Sequence, residues 1–347
     1  MSRVSSQVFH VPDSLSGQTL VAALRHWRPD LTWGDAKRLL SSRRVSVHGA
    51  ICVDHGRRIK PGDVVHLYET PRSPQPTAAD VELLYCDPHI VVVVKPALMT
   101  TLRHREERNW PAARKNQQPT LDEVLPRLVQ EWERPAQTTH DRQPHRRQSP
   151  RRVERRRGRP PRIIAVHRLD RDTSGVMVFA RTPAAEQHLV RQFKQHSNER
   201  VYHAIVHGHP AAQTFESRII RDRGDGLRGS ASGQEEGQHA VTHIRPLESL
   251  GSVSLIECTL ETGRTHQIRI HLSEAGHLVC GDPLYHKQLS GPSIRDDSGA
   301  PRLALHAARL AFDHPATRER LEFEAPLPDD LERFVKRLRR SRRADRD

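Results

Sequence analysis

The chain has 347 residues, room for about two domains at ~100–200 residues each. Its 35% hydrophobic content and mean hydropathy of −0.71 allow packed cores only if part of the chain lies outside them. Lysine and arginine number 56 against 42 aspartate and glutamate, a formal net charge of +14 with a pI near 10.4, the balance of a protein facing nucleic acid or an anionic membrane surface. No apolar run approaches the ~18 residues that span a bilayer, and residues 1–12 lack the apolar core of a secretory signal, so the sequence reads as soluble and cytoplasmic. Cys52, Cys86, Cys258 and Cys280 form no C-x-x-C pair, which signals neither a zinc knuckle nor a disulfide framework. The 23 histidines include no H-E-x-x-H, and His266 and His271, five apart, do not share a helix face; no metal is expected.

In chain order, Leu20, Ala23, Leu24 and Trp27 recur at helical spacing, and Pro29 ends that helix. Thr32 with Asp35 forms a capping-box-like start for a second helix. It carries Ala36, Leu39 and Leu40 on one face, with Lys37, Arg38, Arg43 and Arg44 on its exposed side and end. Val45 and Val47 alternate with polar residues up to His48-Gly49, Ile51 and Val53 follow, and Lys60-Pro61-Gly62-Asp63 turns into 64–67; these are small strands joined by tight turns. After Pro71, Pro74 and Pro76, residues 81–85 and 90–94 read as two strands around Asp87-Pro88. From 103 to 160 Arg, Gln, Pro and His dominate, and only Leu121, Val124, Leu125, Leu128 and Val129 offer a helical stripe to pack on the main domain. Residues 135–160 cannot bury enough apolar surface to order themselves, so a flexible basic insertion is expected, either adding non-specific nucleic-acid affinity or acting as a spacer.

The stretch His167-Arg168-Leu169-Asp170-Arg171-Asp172-Thr173-Ser174-Gly175 sets a carboxylate between two guanidinium groups just before the apolar run 176–180. Asp170 can do covalent or proton chemistry while Arg168 and Arg171 hold phosphate; the alternative is a surface loop whose charges compensate one another. Thr182-Pro183 caps and opens a helix lined by Leu189, Val190 and Phe193. Residues 200–208 alternate like a strand and set Tyr202 among apolar neighbours, and 252–260 is a further strand. Within 262–272 Thr265 is expected to cap a helix ending near Gly276. Arg264 and Arg269 then lie near its N-terminal end, where exposed backbone donors also favour an anion. Strands at 303–312 and 321–323 precede a closing helix with Leu331, Phe334, Val335 and Leu338 inward and a basic tail of Arg337, Arg339, Arg340, Arg342 and Arg343.

Residues 15–70, with their helix-helix-hairpin order and the runs Arg-Arg-Val-Ser-Val-His-Gly and Lys-Pro-Gly-Asp-Val-Val, resemble the S4-like RNA-binding domain. That resemblance implies RNA-phosphate contacts for Lys37, Arg38, Arg43 and Arg44, although Gln18-Thr19-Leu20 stands where the family opens its first helix with Arg-Leu-Asp; a merely solvated basic helix is the competing reading. Beyond a linker at 71–80, residues 81–340 resemble the RluA family of RNA pseudouridine synthases, with the basic insertion at about 103–160. The motifs that carry this are 167–175, Tyr202 in its strand, Gly263-Arg264-Thr265-His266-Gln267-Ile268-Arg269-Ile270-His271, Gly281-Asp282-Pro283-Leu284-Tyr285 and Leu305-His306-Ala307, in the family's order and spacing.

The resemblance implies an α+β fold: a catalytic domain with a mixed, mostly antiparallel sheet and a central cleft, plus the small N-terminal α+β domain. It implies isomerisation of specific uridines to pseudouridine, with Asp170 as the catalytic aspartate, Tyr202 as the active-site tyrosine and Arg269 as the arginine that pairs with the aspartate. Arg168 is the residue implied to enter the helix in place of the flipped base; beside that, Arg171 is expected as a phosphate or structural contact, and Arg264, from its place near the helix start, as an RNA contact. No cofactor is implied, and the expected partner is RNA, ribosomal rather than transfer, bound by a monomer with no membrane. A buried core role for Tyr202, and a surface pairing of Arg269 with Glu274, are the structural alternatives. Leu98 stands where the family has a glycine, His286 where another is common, and His243-Ile244 where an aromatic is usual; these bear on loop shape near the substrate. The competing function is a non-catalytic RNA-binding or ribosome-assembly protein on the same scaffold.

Overall fold

The computed structural model describes residues 7–47, 50–69, 76–104, 107–134, 161–231, 237–286 and 296–344. Two compact units emerge, residues 1–75 with 110–118, and residues 76–109 with 119–347.

In the first unit, strand β1 (Gln7–His10) precedes helix α1 (Leu20–Trp27), whose N-cap Thr19 accepts from the Ala22 amide. Helix α2 (Trp33–Ser41) has the expected capping box, in which Thr32 accepts from the Asp35 amide and the Asp35 carboxylate accepts from the Thr32 amide. The Thr32 hydroxyl and then its amide, both donating to the carboxylate, hold the Asp35 carboxyl down at about 2, with the Arg38 guanidinium contributing. Strands β2 (Val45–Val47), β3 (Ala50–Ile51) and β4 (Val64–Leu67) complete an antiparallel sheet in the order β1-β4-β2-β3. Its strand β1 lies ahead of the stretch where sequence periodicity is legible, because a four-residue edge strand with only half of its side chains inward carries little pattern. Leu20, Leu24, Leu40, Val45, Ile59 and Leu67 fill the core. The turn His48-Gly49 lies outside the described residues.

In the second unit β5 (Glu82–Cys86) and β6 (Ile90–Lys95) form the expected hairpin. Helix α3 (Ala112–Gln117) belongs with the first unit, where the Gln118 side chain donates to the Ile51 carbonyl at 2.6 Å. Helix α4 (Leu121–Glu133) buries Leu121, Leu125 and Val129, as its stripe predicts. Part of the 103–160 stretch is therefore helical, while 135–160 lies outside the described residues.

Strands β7 (Ile164–Ala165) and β8 (Ser174–Ala180) flank the Asp170 loop. Then follow α5 (Pro183–Gln195), β9 (Glu199–His207), β10 (Gln213–Ile220), β11 (Gly229–Ser230), β12 (Gln238–Ser249) and β13 (Val253–Leu260). Helix α6 (Gln267–Glu274), β14 (Leu305–Asp313), β15 (Arg320–Glu324) and α7 (Asp329–Ala344) end the chain. The sheet runs β11-β10-β12-β13-β9-β14-β8-β6-β5, with β15 paired to β14 and β7 to β8. Among the described residues its pairings are antiparallel except β14 with β8, so the fold is α+β with a mixed, mostly antiparallel sheet.

Successive side chains of a strand face opposite sides of the sheet, and the central strands bury both. Val91, Val93, Met177 and Phe179 pack with α4 and α7, whereas Ile90, Val92, Val176 and Val178 pack with Ala185 and Leu189 of α5. The parallel contact is close: at Gly175, φ +128°, an added Cβ would lie 2.2 Å from the Ala307 carbonyl oxygen. Only glycine fits there. Leu98 stands in the left-handed region at φ +67°, a strained conformation for a residue with a side chain.

Candidate active site

Asp170 sits in a loop pinned on both sides. Upstream, the His167 ring stacks on Phe193 at 4.5 Å and its Nε2 accepts from the Val178 amide at 3.1 Å. Buried Leu169 is clamped by Thr101, whose hydroxyl donates to the Leu169 carbonyl at 2.8 Å and accepts from its amide at 3.3 Å. Downstream, the Lys95 ammonium donates to the carbonyls of Pro96, Met99 and Arg171 at 2.9, 2.8 and 3.1 Å. Lys95 is fully buried, and burial pulls its pKa down to about 7 against the opposing pull of Asp172 and Asp170.

Arg269 comes from α6 and is 2% exposed. Its Nη1 lies 4.0 Å from Asp170 Oδ2, but both of its hydrogen bonds go elsewhere: Nε and Nη2 donate to Asp282 Oδ2 and Oδ1, each at 2.7 Å. This planar two-point pairing opposes the cost of burying both charges, keeping the Asp282 carboxyl low despite burial and raising the guanidinium. Asp282 Oδ1 also accepts from the Leu284 and Tyr285 amides, which folds the Gly-Asp-Pro-Leu-Tyr turn around the carboxylate. The sequence expectation of a direct Arg269–Asp170 pair is thus met only at ion-pair distance. The alternative partner Glu274 instead accepts from the Ser230 amide.

Helix α6 also starts differently from the expectation. Thr265 is not its cap; His266 occupies that position with φ +62° and no side-chain cap bond. Gln267 ties the start together, accepting from the Arg264 amide and the Thr262 hydroxyl and donating to Val241 and Thr242. A glutamine held from three directions supplants a one-bond threonine cap.

Tyr202, on β9 between Cys258 of β13 and Ala307 of β14, is 9% exposed. Burial pushes its phenol up to about 12, with Arg200 acting against the rise and Asp170 adding to it. Its hydroxyl has no hydrogen-bond partner among the described residues. Tyr202 is therefore both a core residue and a member of the Asp170 neighbourhood. His266 Nε2 lies 3.8 Å from Asp170 Oδ2.

The remaining candidates are spread out. Arg168 is exposed and has no partner among the described residues. Arg171 lies 3.9 Å from Asp172, and the Arg264 Nε donates to the His239 carbonyl at 2.8 Å. In the first unit Lys37 and Arg38 are exposed, Arg38 pairs with Asp35, and Arg44 donates to the Tyr68 carbonyl. Arg43 stands in the left-handed region at φ +58° just after α2. Lys95, His266, Asp282 and Tyr285 were given no role from sequence. The motifs containing the last three were visible, but only the folded geometry sets His266 beside Asp170, Asp282 on Arg269 and Tyr285 on His266.

One other group gathers ligand-type side chains among the described residues: His207, Cys280 and Asp296, within 4.8 Å. His207 Nε2 and Asp296 Oδ1 lie 3.0 Å apart, and Asp296 Oδ2 accepts from the Gly281 amide at 2.7 Å. Burial pushes the Cys280 thiol up to about 12. His207 and Asp296 satisfy one another and anchor the Gly281 turn, while the Cys280 thiol interacts with Ser298.

The α+β sheet that carries this site has a counterpart among solved structures. A solved human protein, RNA Pseudouridylate Synthase Domain Containing 4, superposes with a TM-score of 0.54 at 24% identity over 74% of this chain and 93% of its own. A family profile described as RNA pseudouridylate synthase matches residues 89–274. The chain belongs to this family, in its RluA-type branch. A ribosomal large subunit pseudouridine synthase D of Nitrosomonas europaea is 31% identical over 338 residues, 95% of this chain and 87% of that one. An RNA pseudouridine synthase of Mycobacterium bovis, itself uncharacterized, is 34% identical over 336 residues, 95% and 97% of the two chains. The first curated relatives match over about half their length, as with the Zymomonas mobilis ribosomal large subunit pseudouridine synthase D, 41% identical over 51% of this chain and 57% of its own.

Proposed function

We propose that the protein isomerises specific uridines of structured RNA to pseudouridine, acting on large-subunit ribosomal RNA rather than transfer RNA. The observation that carries this is Asp170 itself: a carboxylate on a loop clamped by Thr101 and Lys95, facing a guanidinium that Asp282 holds rigid. Among the described residues its nearest basic groups stand 3.8 and 4.0 Å away, beyond hydrogen-bond length, which leaves its oxygens open to a substrate.

In this reading Asp170 acts at the ribose or base while the bond between ribose and uracil nitrogen breaks, the uracil turns, and a bond from ribose to a ring carbon forms. The ring carbon loses a proton and the freed nitrogen gains one, so RNA mass is unchanged. Tyr202, with a hydroxyl unengaged among the described residues, stacks near the uracil and assists proton removal. Arg269 steadies the charge of Asp170. A stacked base cannot present its glycosidic carbon, so the nucleotide must leave the helix at a cost of about a few kcal/mol. Arg168, exposed and without a partner among the described residues, suits the vacated space, with Arg171 and Arg264 on neighbouring phosphates. The first unit serves as an S4-like RNA-binding domain through Lys37, Arg38, Arg43 and Arg44, joined near 71–80 to a catalytic domain ending near 340. The protein works in the cytoplasm, as a monomer, with no cofactor. No helix among the described residues is long and apolar enough to cross a membrane.

The test is a transcriptome-wide pseudouridine map by carbodiimide-stop sequencing in a deletion strain carrying either the parental gene or Asp170→Ala. The expected result is a ribosomal site lost on deletion, restored by the parent and not by the variant. Restoration by Asp170→Ala, or no lost site, would overturn the proposal in favour of a non-catalytic RNA-binding role.

A further inference from the structure

We infer that His266 is a further working residue at Asp170, a hydrogen-bond donor to that carboxylate, and that Tyr285 is the positioning residue that fixes its tautomer. The inference deepens the proposed reaction and rests on that reading for its kinetic consequence, though its geometric core stands apart from it.

His266 Nε2 lies 3.8 Å from Asp170 Oδ2, nearer than the Arg269 Nη1 at 4.0 Å. The other ring nitrogen, Nδ1, is 2.8 Å from the Tyr285 hydroxyl, and the two rings meet edge to face at 84°. An ionised carboxylate only accepts hydrogen bonds, so the nitrogen facing it is the one that carries the proton. Burial lowers the His266 pKa, with Asp170 opposing and Arg269 adding to the effect, so the ring is neutral near pH 7 and holds one proton. With that proton on Nε2, Nδ1 must accept, and Tyr285 can supply the proton: burial holds its phenol well above the usual range. Tyr285 is itself fixed, 1% exposed, its carbonyl accepting from Ser273 Oγ at 2.5 Å and its ring 5.0 Å beneath the Arg269 guanidinium.

Two further observations point the same way. His266 holds a left-handed backbone, φ +62° and ψ +15°, without contributing a side-chain cap to α6, so its strain is not explained by helix initiation. The Gly281–Tyr285 turn supplies both supports of the Asp170 site: Asp282 engages the Nε and Nη2 edge of Arg269 and leaves Nη1 for Asp170, while Tyr285 engages Nδ1 of His266 and leaves Nε2 for Asp170. A single turn thus aims a charged donor and a neutral donor at one carboxylate. Both stand slightly beyond hydrogen-bond length, a separation that a bound uridine can close by drawing Asp170 or the ring inward.

The test uses the full chain. His266→Leu removes the donor, His266→Gln offers an amide N–H near the same place, and Tyr285→Phe removes only the hydroxyl. With an RNA carrying the mapped uridine, turnover should fall about 100-fold for His266→Leu and about 10-fold for Tyr285→Phe, with KM within about twofold, and recover partly in His266→Gln. Independently of turnover, 15N spectra of imidazole-labelled protein, assigned by the signal lost in His266→Gln, should show the Nε2–H tautomer in the parent and a tautomer mixture in Tyr285→Phe. An Nδ1–H tautomer in the parent, or His266→Leu turning over within about threefold of the parent while folded, would overturn the inference. If the parent forms no pseudouridine at all, the proposed reaction fails, and the spectra still decide the tautomer.

Discussion

The buried imidazole of His306 joins the parallel strand pair to the Asp170 loop, and replacing it should change how the protein answers acid. Its Nδ1 is 2.9 Å from the Ser174 hydroxyl and its Nε2 3.1 Å from the Ala325 carbonyl, so the neutral ring accepts from the serine and donates to the carbonyl. It is fully buried, and burial, with Arg302 nearby, lowers its pKa to about 4 although the Ala325 carbonyl pulls upward. An unfolded histidine titrates near 6.5. Between these values the unfolded chain binds more protons than the folded one, so stability falls as pH falls from about 6.5 to 4 and is flat above. Between pH 7.5 and 5.0 the linkage gives a loss of about 2 kcal/mol from this one residue. His306→Gln keeps a donor for Ala325 and removes the titration. Urea unfolding at the two pH values, followed by circular dichroism, should show the variant less stable at pH 7.5 yet losing about 2 kcal/mol less than the parent on acidification. Equal losses in parent and variant would refute the reasoning, since no other buried histidine is altered.

Gly175→Ala must fit a Cβ 2.2 Å from a backbone oxygen at a φ of +128°, so unfolding free energy should fall by more than about 2 kcal/mol in the same urea assay. Leu125→Ala, in the helix that follows the first unit's α3, should cost about 2–5 kcal/mol; a smaller loss would mean α4 is not part of the catalytic core. Tyr202→Phe should reduce pseudouridine formation by at least about 100-fold with a melting temperature little changed, because the hydroxyl it removes has no hydrogen-bond partner among the described residues. Changing Lys37 and Arg38 together to glutamate should weaken RNA binding by filter assay and lower the salt slope by roughly one per lost phosphate contact; an unchanged slope would leave α2 a solvated face.

The elements were largely legible because their signals are local. The Thr32–Asp35 box, the Thr182-Pro183 start, the stripe of Leu121, Leu125 and Val129, and the alternation around Tyr202 each depend on residues within a few positions of one another. The failures have the opposite character. Thr265 looked like a cap because a hydroxyl precedes a helix, yet Gln267 takes over through bonds to Val241 and Thr242, about 25 residues away in sequence. The pairing of Arg269 with Asp170 is present at 4.0 Å, but the stronger partner, Asp282, was not legible. A planar guanidinium buried to 2% goes to the carboxylate that meets two of its nitrogens at once, a choice that geometry makes and spacing does not reveal.

By itself the sequence determined the α+β elements, the family, and Asp170, Tyr202 and Arg269 as the residues to examine, since each is marked by its own motif. Only the tertiary structure decided what surrounds Asp170: Lys95 beneath its loop, Asp282 behind Arg269, and Tyr285 behind His266. Hydrophobic periodicity and capping act over a few residues, whereas the position of a buried charge is set by every group that can reach it, and those groups come from β6 on one side and from α6 with the turn at Gly281 on the other, all far from Asp170 in the chain.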